Sequence, residues 1–288
     1  MNDTVGVKTQ AFSLKQLMAM YNFTGKTLVV TGGAGILGSE FACAFAGCGG
    51  NVAILDLNLE PGQAVLQRMG KSRSRAALVQ CDVLDPESLR QATAEVVRRF
   101  GQIDCLINAA GGNQPQATTS ADRSFFELPA DGLRRITDLN ILGTILACQA
   151  IGSVMAQQGH GAIVNIASVN SSRPLSRGVA YAAGKAAVAN FTQWLAVHLA
   201  QEYSPCIRVN AIAPGFFITT QNQFLLANAE TGEYTPRAKA VVAHTPMGRF
   251  GKPGELVGGM LWLLSPAASF VTGSVVYIDG GFTAYSGV

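Results

Sequence analysis

Thr27–Gly38 reads TLVVTGGAGILG: a β-branched run that opens straight into a glycine-rich turn, after which an apolar helix pattern crosses Gly38–Gly47. Such a run suits a strand inside a sheet. Glycines at 32, 33, 35 and 38 allow a tight turn and let main-chain N–H groups approach a pyrophosphate at a helix N-terminus. A glycine cluster alone is weak evidence, and its weight comes from the strand before and the helix after. Outward from it, Asn51–Leu55 (NVAIL) is a second apolar run, ended by Asp56, 18 residues beyond Gly38. A carboxylate there accepts both hydroxyls of an adenosine ribose and repels a 2′-phosphate. No Arg or Lys flanks it in ILDLNLE. The pattern therefore predicts NAD rather than NADP; the plainer alternative is that Asp56 caps a helix.

The same alternation continues along the chain. Strands are expected at Ala76–Gln80, Asp104–Asn108, Ala162–Ile166, Ile207–Ile212 and Ser274–Ile278. Between them lie helix patterns at Pro61–Met69, from Asp85 (cap) and Pro86 to Phe100, and at Asp131–Gln158, Val179–Glu202 and Gly254–Leu264. A short helix is expected near Ser13–Met20. Seven apolar strands separated by helices predict a single-domain, doubly wound (Rossmann) α/β fold, a seven-stranded parallel sheet with helices on both faces. Residues 1–22 would be an N-terminal extension and 23–288 the nucleotide-binding domain. Two stretches, 111–130 and 215–250, are too long for plain connections. Both leave the carboxyl end of a strand, where ligands bind in such sheets, and both are expected to be substrate loops.

Composition excludes several other classes. Of 288 residues, 48% are hydrophobic and only 14% charged, so the chain is neither disordered nor fibrous. So little charge leaves few residues to cover a surface, and burial against partner subunits is expected. The 21 basic and 18 acidic residues give a net charge of +3 with no basic stripe, which argues against nucleic acid. No uninterrupted apolar run reaches the roughly 18–20 residues that cross a bilayer, and the first ten residues lack a signal-peptide pattern. Six cysteines without a C-x-x-C pair read as buried free thiols in a reducing, cytoplasmic compartment. His160, His198 and His244 have no metal-ligand spacing, so no metal is expected.

The helix from Val179 carries Tyr181 and Lys185 in Y-A-A-G-K, four apart and therefore on one face. An ammonium beside a phenol favours the phenolate and is expected to lower the tyrosine pKa from its usual value near 10. Ser168, just past the strand AIVNIA, lies 13 residues earlier at a carboxyl edge.

With these residues on the page, the chain from Phe23 to Val288 resembles the short-chain dehydrogenase/reductase family. The motifs fall in order: TGGAGILG (31–38), CDV (81–83), NAAG (108–111), Asn140 in DLN, Ser168, YAAGK (181–185), PG (214–215) and IDGG (278–281). The resemblance implies a hydride-transferring oxidoreductase. In it Tyr181 is the general acid/base, Lys185 holds the nicotinamide ribose, Ser168 hydrogen-bonds the reacting oxygen and Asn140 positions a relay water. It also implies cofactor contacts from Gly32, Gly35, Ile36, Leu37, Gly38, Asp56, Asp82, Val83, Asn108, Ala109, Ala110, Gly111, Tyr181, Lys185, Pro214, Gly215, Ile218 and Thr219. One position departs from the family pattern T-G-x-x-x-G-x-G: its middle glycine falls on Ile36, with Gly35 one place early.

NAAGGNQP (108–115), HTPMGRFG (244–251) and the tail IDGGFTAYSGV (278–288) are similar to one branch of the family, the D-mannonate oxidoreductases or fructuronate reductases. That likeness implies a small sugar-acid substrate and a homotetramer. The same chemistry on gluconate/5-ketogluconate, or a non-catalytic nucleotide-binding regulator, are the alternatives. A hydroxylated, carboxylated substrate needs polar groups and a cation. Asn113, Gln114, Asn170, Arg173, Arg177 and Gln221 are the candidates, with Arg249 further along.

Overall fold

The computed structural model describes residues 11–218, 226, 228 and 231–287. Seven strands form one parallel sheet: β1 (Thr27–Thr31), β2 (Asn51–Asp56), β3 (Ala76–Gln80), β4 (Cys105–Asn108), β5 (Gly161–Ile166), β6 (Ile207–Pro214) and β7 (Val275–Ile278), in the order β3-β2-β1-β4-β5-β6-β7. The chain winds outward from β1 to β3, then restarts at β4 and winds the other way. The expected doubly wound, single-domain fold is therefore the one observed. Thr31 and Asn108 are paired neighbours at the point of reversal, and there the connections diverge and leave a crevice.

Each central strand is buried on both faces, and alternate residues feed two cores. Leu28 and Val30 of β1 face one side with Phe41 and Phe45 of helix α2 (Ile36–Gly47). Val29 faces the other, with Leu89 and Val96 of helix α4 (Pro86–Phe100) and with Ile151 and Met155 of helix α6 (Gly143–Gln158). In sequence α1 (Leu14–Ala19) precedes them and α3 (Leu59–Arg68) and α5 (Ala130–Thr137) lie between them; α7 (Val179–Glu202), α8 (Pro236–His244) and α9 (Val257–Leu264) follow among the described residues. The segment Ala130–Gln158 is long and apolar enough by composition to cross a membrane. Seven residues of its α6 part are buried, and α6 packs on β4, β5 and α4. It is a core helix.

Some boundaries differ from expectation for local reasons. The helix expected over Asp131–Gln158 is two helices joined by a wide π turn, Asp138–Leu142. There Asn140 Nδ2 donates to the Ile136 carbonyl at 2.8 Å, which puts a side chain into the helical ladder. Helix α3 starts at Leu59, before Pro61, because the Asn58 side chain accepts from the Glu60 N–H. The last helix begins at Val257, after a 3₁₀ turn over Pro253–Leu256. Stretch 111–130 carries 3₁₀ turns at Pro115–Ala117 and Phe125–Glu127; stretch 215–250 carries α8, and a bridge between Phe217 and Gly251 closes its base.

Asp104 pins the amino end of the central pair. Its buried carboxylate accepts from Lys26 Nζ, the Thr27 N–H and Gln102 Nε2, each at 2.9 Å. Asp104→Ala leaves the Thr27 N–H buried without an acceptor. It should cost about 3 kcal/mol in urea denaturation, while Asp104→Asn should cost less.

Candidate active site

The crevice is built first from the turn between β1 and α2. Gly32 sits at φ +60°, and a β-carbon there would lie 2.7 Å from the Ala110 backbone, so the turn and the 109–111 segment meet only through glycine. Gly35 ends the turn as the N-cap of α2 in extended backbone and makes no side-chain cap, so the first-turn N–H groups of α2 are left for an external acceptor. Ile36, where the family pattern has glycine, occupies the first helical position and is half-buried. The only non-glycine residue with positive φ among the described residues is Arg177, so Ile36 is unstrained there.

Asp56 ends β2 beside this turn. Its Oδ2 accepts from the Ala34 N–H at 3.0 Å and its Oδ1 from the Asn58 N–H at 3.2 Å, which holds the carboxylate at the sheet edge. It is not the cap of α3, a place taken by Asn58. The Cys81 N–H bonds the Asp56 carbonyl and brings Asp82 and Val83 alongside. Asp82 Oδ1 accepts from the Leu84 N–H, and Val83 is buried against Gly143. Helix-end amides for a pyrophosphate and a carboxylate for a ribose diol are the donor and acceptor set that NAD requires.

Asn108 borders the crevice through its main chain. Its amide turns away from the crevice into the core, donating to Asn165 Oδ1 at 2.9 Å and Cys148 Sγ at 3.1 Å, and Asn165 Nδ2 continues to Thr192 Oγ1 at 2.9 Å. Only the main chain of 108–111 borders the crevice. This buried polar chain ties β4 to β5 and to α7. Asn165, a polar residue inside the apolar strand GAIVNI, was the available sequence signal for it.

Asn140, Ser168, Tyr181 and Lys185 come together at the carboxyl ends of β4 and β5. Asn140 Oδ1 accepts from the Gly112 N–H (3.2 Å), and its Nδ2 donates to the carbonyls of Gly112 and Ile136 (both 2.8 Å). Both amide protons are thus spent within the chain, and the residue clamps the 111–112 backbone. A β-carbon on Gly111 would come within 2.8 Å of Asn140 Oδ1 and 3.4 Å of Lys185 Nζ. Lys185 is buried, donates from Nζ to the Ile166 carbonyl at 2.7 Å and stands 5.7 Å from the centre of the Tyr181 ring.

Ser168 caps a short 3₁₀ turn, Val169–Ser171. Its Oγ accepts from both the main-chain N–H (3.2 Å) and Nδ2 (3.3 Å) of Asn170. With both lone pairs engaged, the hydroxyl proton is directed away, toward Tyr181. Asn170 Oδ1 in turn accepts from the Leu175 N–H at 3.2 Å. Asn170 therefore aims Ser168, with one proton of its amide engaged there. Ser171, not singled out from sequence, accepts from the Ser168 N–H and donates to the Lys185 carbonyl at 2.7 Å.

Burial pushes the Tyr181 phenol above its ordinary value, and the Ser168 hydrogen bond offsets only part of that. The expected lowering by Lys185 does not appear, because its ammonium is bonded to Ile166 and lies 5.7 Å from the ring centre. Burial also pulls Lys185 down to about 8.

The remaining candidates divide. Asn113 Nδ2 donates to Thr118 Oγ1 at 3.0 Å, and its Oδ1 is buried without a partner. Gln114 gives its carbonyl to Ala117 and Thr118 in a turn. Arg173 donates to the Thr283 carbonyl of the C-terminal tail, and Arg249 pairs with Glu255. Arg177 precedes α7 in the left-handed region, φ +87°. Pro214 and Gly215 end β6 at the crevice, and Ile218 packs with Leu226 and Phe250. Thr219 and Gln221 lie outside the described residues. Arg237, missed from sequence, reaches from α8 to Ser176. His244 rests on Phe282 and Tyr285, and no group of metal-ligating side chains occurs among the described residues. Two apolar hollows, about 710 Å³ between α4 and α6 and about 500 Å³ beside the start of α7, contain neither Ser168 nor Tyr181. The tetrad faces the crevice instead.

The Lys185 shift has a signed consequence. Below pH 8 both folded and unfolded chains carry this proton, and folding bears the full cost of burying the charge. Between about 8 and 10.5 the unfolded chain binds more protons, so stability rises with pH. Lys185→Met lacks that term. Its stability relative to the unsubstituted protein should fall by about 3 kcal/mol from pH 7 to 10.5 in denaturant titrations.

The profile described as enoyl-(acyl carrier protein) reductase matches residues 24–283. An oxidoreductase of Bacillus subtilis, UxuB, described as uncharacterized, is 44% identical over 276 residues, 93% of this chain and 98% of its own. D-threitol dehydrogenase of Mycolicibacterium smegmatis is 34% identical over 263 residues, 91% and 95% of the two chains. A crystal structure of a provisionally named D-mannonate oxidoreductase from Haemophilus influenzae, with NAD bound, superposes with a TM-score of 0.87 at 39% identity over 94% of this chain and 100% of the other. The match over almost the whole chain and the constellation at the sheet edge agree: this chain is an oxidoreductase of the short-chain dehydrogenase/reductase family.

Proposed function

We propose that the protein interconverts D-mannonate and D-fructuronate with NAD(H). The observation that carries the reaction class is the convergence of Ser168, Tyr181, Lys185 and Asn140 at one strand edge, beside an anion-binding turn. Asp56, with no cation flanking it in sequence, supports NAD over NADP. The substrate rests on the likeness to the Haemophilus protein and on two polar residues near the start of α7, Asn113 and Arg177.

NAD would lie along the sheet edge, held by the first-turn N–H groups at Ile36–Gly38, Asp56, the 108–111 backbone and Lys185, with Pro214, Gly215 and Ile218 toward the nicotinamide. Bound there, it supplies the hydride acceptor for oxidation and, reduced, the donor for the reverse reaction. Ser168 and Tyr181 then hold the substrate oxygen between two hydroxyls. Tyr181 keeps its proton at neutral pH and so stands ready as the acid that protonates the carbonyl oxygen in reduction. In oxidation it must first lose that proton. Asn140 keeps the backbone beside Lys185 in place, and a relay water would have only the second lone pair of Oδ1 to bind.

The reading extends to a cytoplasmic homotetramer that binds neither nucleic acid nor membrane. Trp194 and Val197, more than half exposed on α7, and Tyr277 on the edge strand β7 support subunit packing.

NADH consumption with D-fructuronate, tagaturonate and 5-ketogluconate, repeated with NADPH, tests the assignment: turnover should be fastest with fructuronate and NADH. Turnover confined to another ketone would remove the substrate and leave the chemistry. Tyr181→Phe should lower kcat by about 10³-fold with NADH binding retained; unchanged kcat would remove the acid/base role. Because the phenol is held protonated, the oxidation rate should climb with pH through the alkaline range while reduction declines. Asp56→Ala should weaken NAD by about tenfold or more relative to NADP.

A further inference from the structure

Arg237 lies in the first turn of α8, where a cation meets the positive end of a helix. Its guanidinium donates to Ser176 Oγ at 2.9 Å and to the Ser176 carbonyl at 3.3 Å, next in sequence to Arg177; burial first, and then the Arg177 charge, makes its own charge less favourable. Arg177 is also the one non-glycine residue held in the left-handed region among the described residues. Arg68, Arg90, Arg98, Arg134 and Arg249 each pair with a carboxylate. Arg177 and Arg237 belong to the larger group of arginines that have no carboxylate partner among the described residues. Three unfavourable features thus coincide: like charges side by side, a cation at a helix N-terminus, and a strained backbone. A single anion placed against the two guanidinium groups relieves the first two, and it gives the third a reason to persist.

Arg177 lines the hollow beside the start of α7, and its neighbours lead from there toward the substrate end of the crevice. The Arg177 carbonyl accepts from the Thr119 N–H of the first long loop, and Arg237 comes from the second. A β-carbon on Gly178, the next residue, would lie 3.1 Å from Asn113 Nδ2 and 3.8 Å from Tyr181 Cβ. Both loops and the Ser168–Tyr181 link therefore meet at this pair. We infer that Arg177 and Arg237 form the seat of the substrate carboxylate, an assignment that rests on the sugar-acid reading above. In D-mannonate three carbons separate the carboxylate from the carbon that is oxidised. A seat at the rim, rather than against Tyr181, suits that spacing.

The test compares D-fructuronate with D-fructose, which carries CH₂OH in place of the carboxylate, in the full-length enzyme and in Arg237→Leu, Arg237→Lys and Arg177→Gly. The ratio of kcat/KM for fructuronate over fructose should fall about 10²-fold in Arg237→Leu, mainly through KM for fructuronate. Arg237→Lys should recover part of it, because it keeps the charge without the planar fork. Arg177→Gly should lower the ratio without loss of thermal stability, since glycine accepts the same φ; it keeps the test open if the Arg237 variants do not fold. Where fructose turns over too slowly, competitive inhibition by D-mannonate against D-mannitol gives the same ratio. If another keto-acid is the better substrate, the comparison is made with it and its neutral counterpart. An unchanged ratio in an enzyme that reduces fructuronate overturns the seat and leaves the sugar-acid reading standing. Equal losses on charged and neutral substrates show Arg237 to be only a latch between α8 and the 172–178 link, and also overturn it. An enzyme that reduces neutral ketones and no keto-acid removes both readings.

Discussion

Everything at the crevice follows from the pairing of β1 with β4. These two strands lie side by side at the centre of the sheet, yet the chain leaves them in opposite directions. A parallel sheet must return each connection over one face, so the reversal leaves a gap that no connection crosses. The glycine turn after β1 and the 109–112 segment after β4 fill it with main chain alone. Gly32 against Ala110 and Gly111 against Asn140 show how close the backbones come. Larger residues at those two glycines would force the segments apart and open the floor on which a dinucleotide has to lie.

A second layer holds the reactive groups still. Lys185 is anchored to the end of β5 through Ile166, Asn140 to Gly112, and Ser168 to Asn170 and Ser171. Beneath them, Asn108, Asn165, Cys148 and Thr192 join β4, β5, α6 and α7 in a buried polar chain. Buried polar groups cost free energy unless they are partnered, so this chain tolerates few other arrangements of sheet and helix. The charged form of Lys185 is disfavoured by the same burial. The site thus gives up some stability to keep an ammonium near a phenol.

Much of this was legible in the sequence because it is local or periodic. Strand runs such as TLVVT and NVAIL, the glycine turn, and the four-residue spacing of Tyr181 and Lys185 each read directly from a few neighbouring residues. What escaped depends on distant chain. The periodicity of Asp131–Gln158 continues through the π turn at Asn140, because the break comes from a side chain bonded to its own helix and to Gly112, 28 residues away in sequence. Asn170 looked like a free polar group, and only the folded loop shows its amide engaged with Ser168 and Leu175. Arg237 became visible only when α8 was seen beside Ser176. The direction of the Tyr181 shift likewise needed burial, which spacing does not reveal.

The bonds that orient Ser168 run to Asn170 and Ser171, and Ser171 reaches Lys185, so these groups lie within a single strand–loop–helix unit from β5 to α7. The two long loops make none of these bonds, although Ala117 of the first packs with Ala180 and Tyr181. The wiring of Ser168 and Lys185 is therefore carried on one continuous stretch of sequence. Exchanges at exposed positions of 113–130 and 216–250 leave the bonds that orient Ser168 intact. Lineages built on this plan are free to explore new alcohols by altering their rims while the centre stays constant.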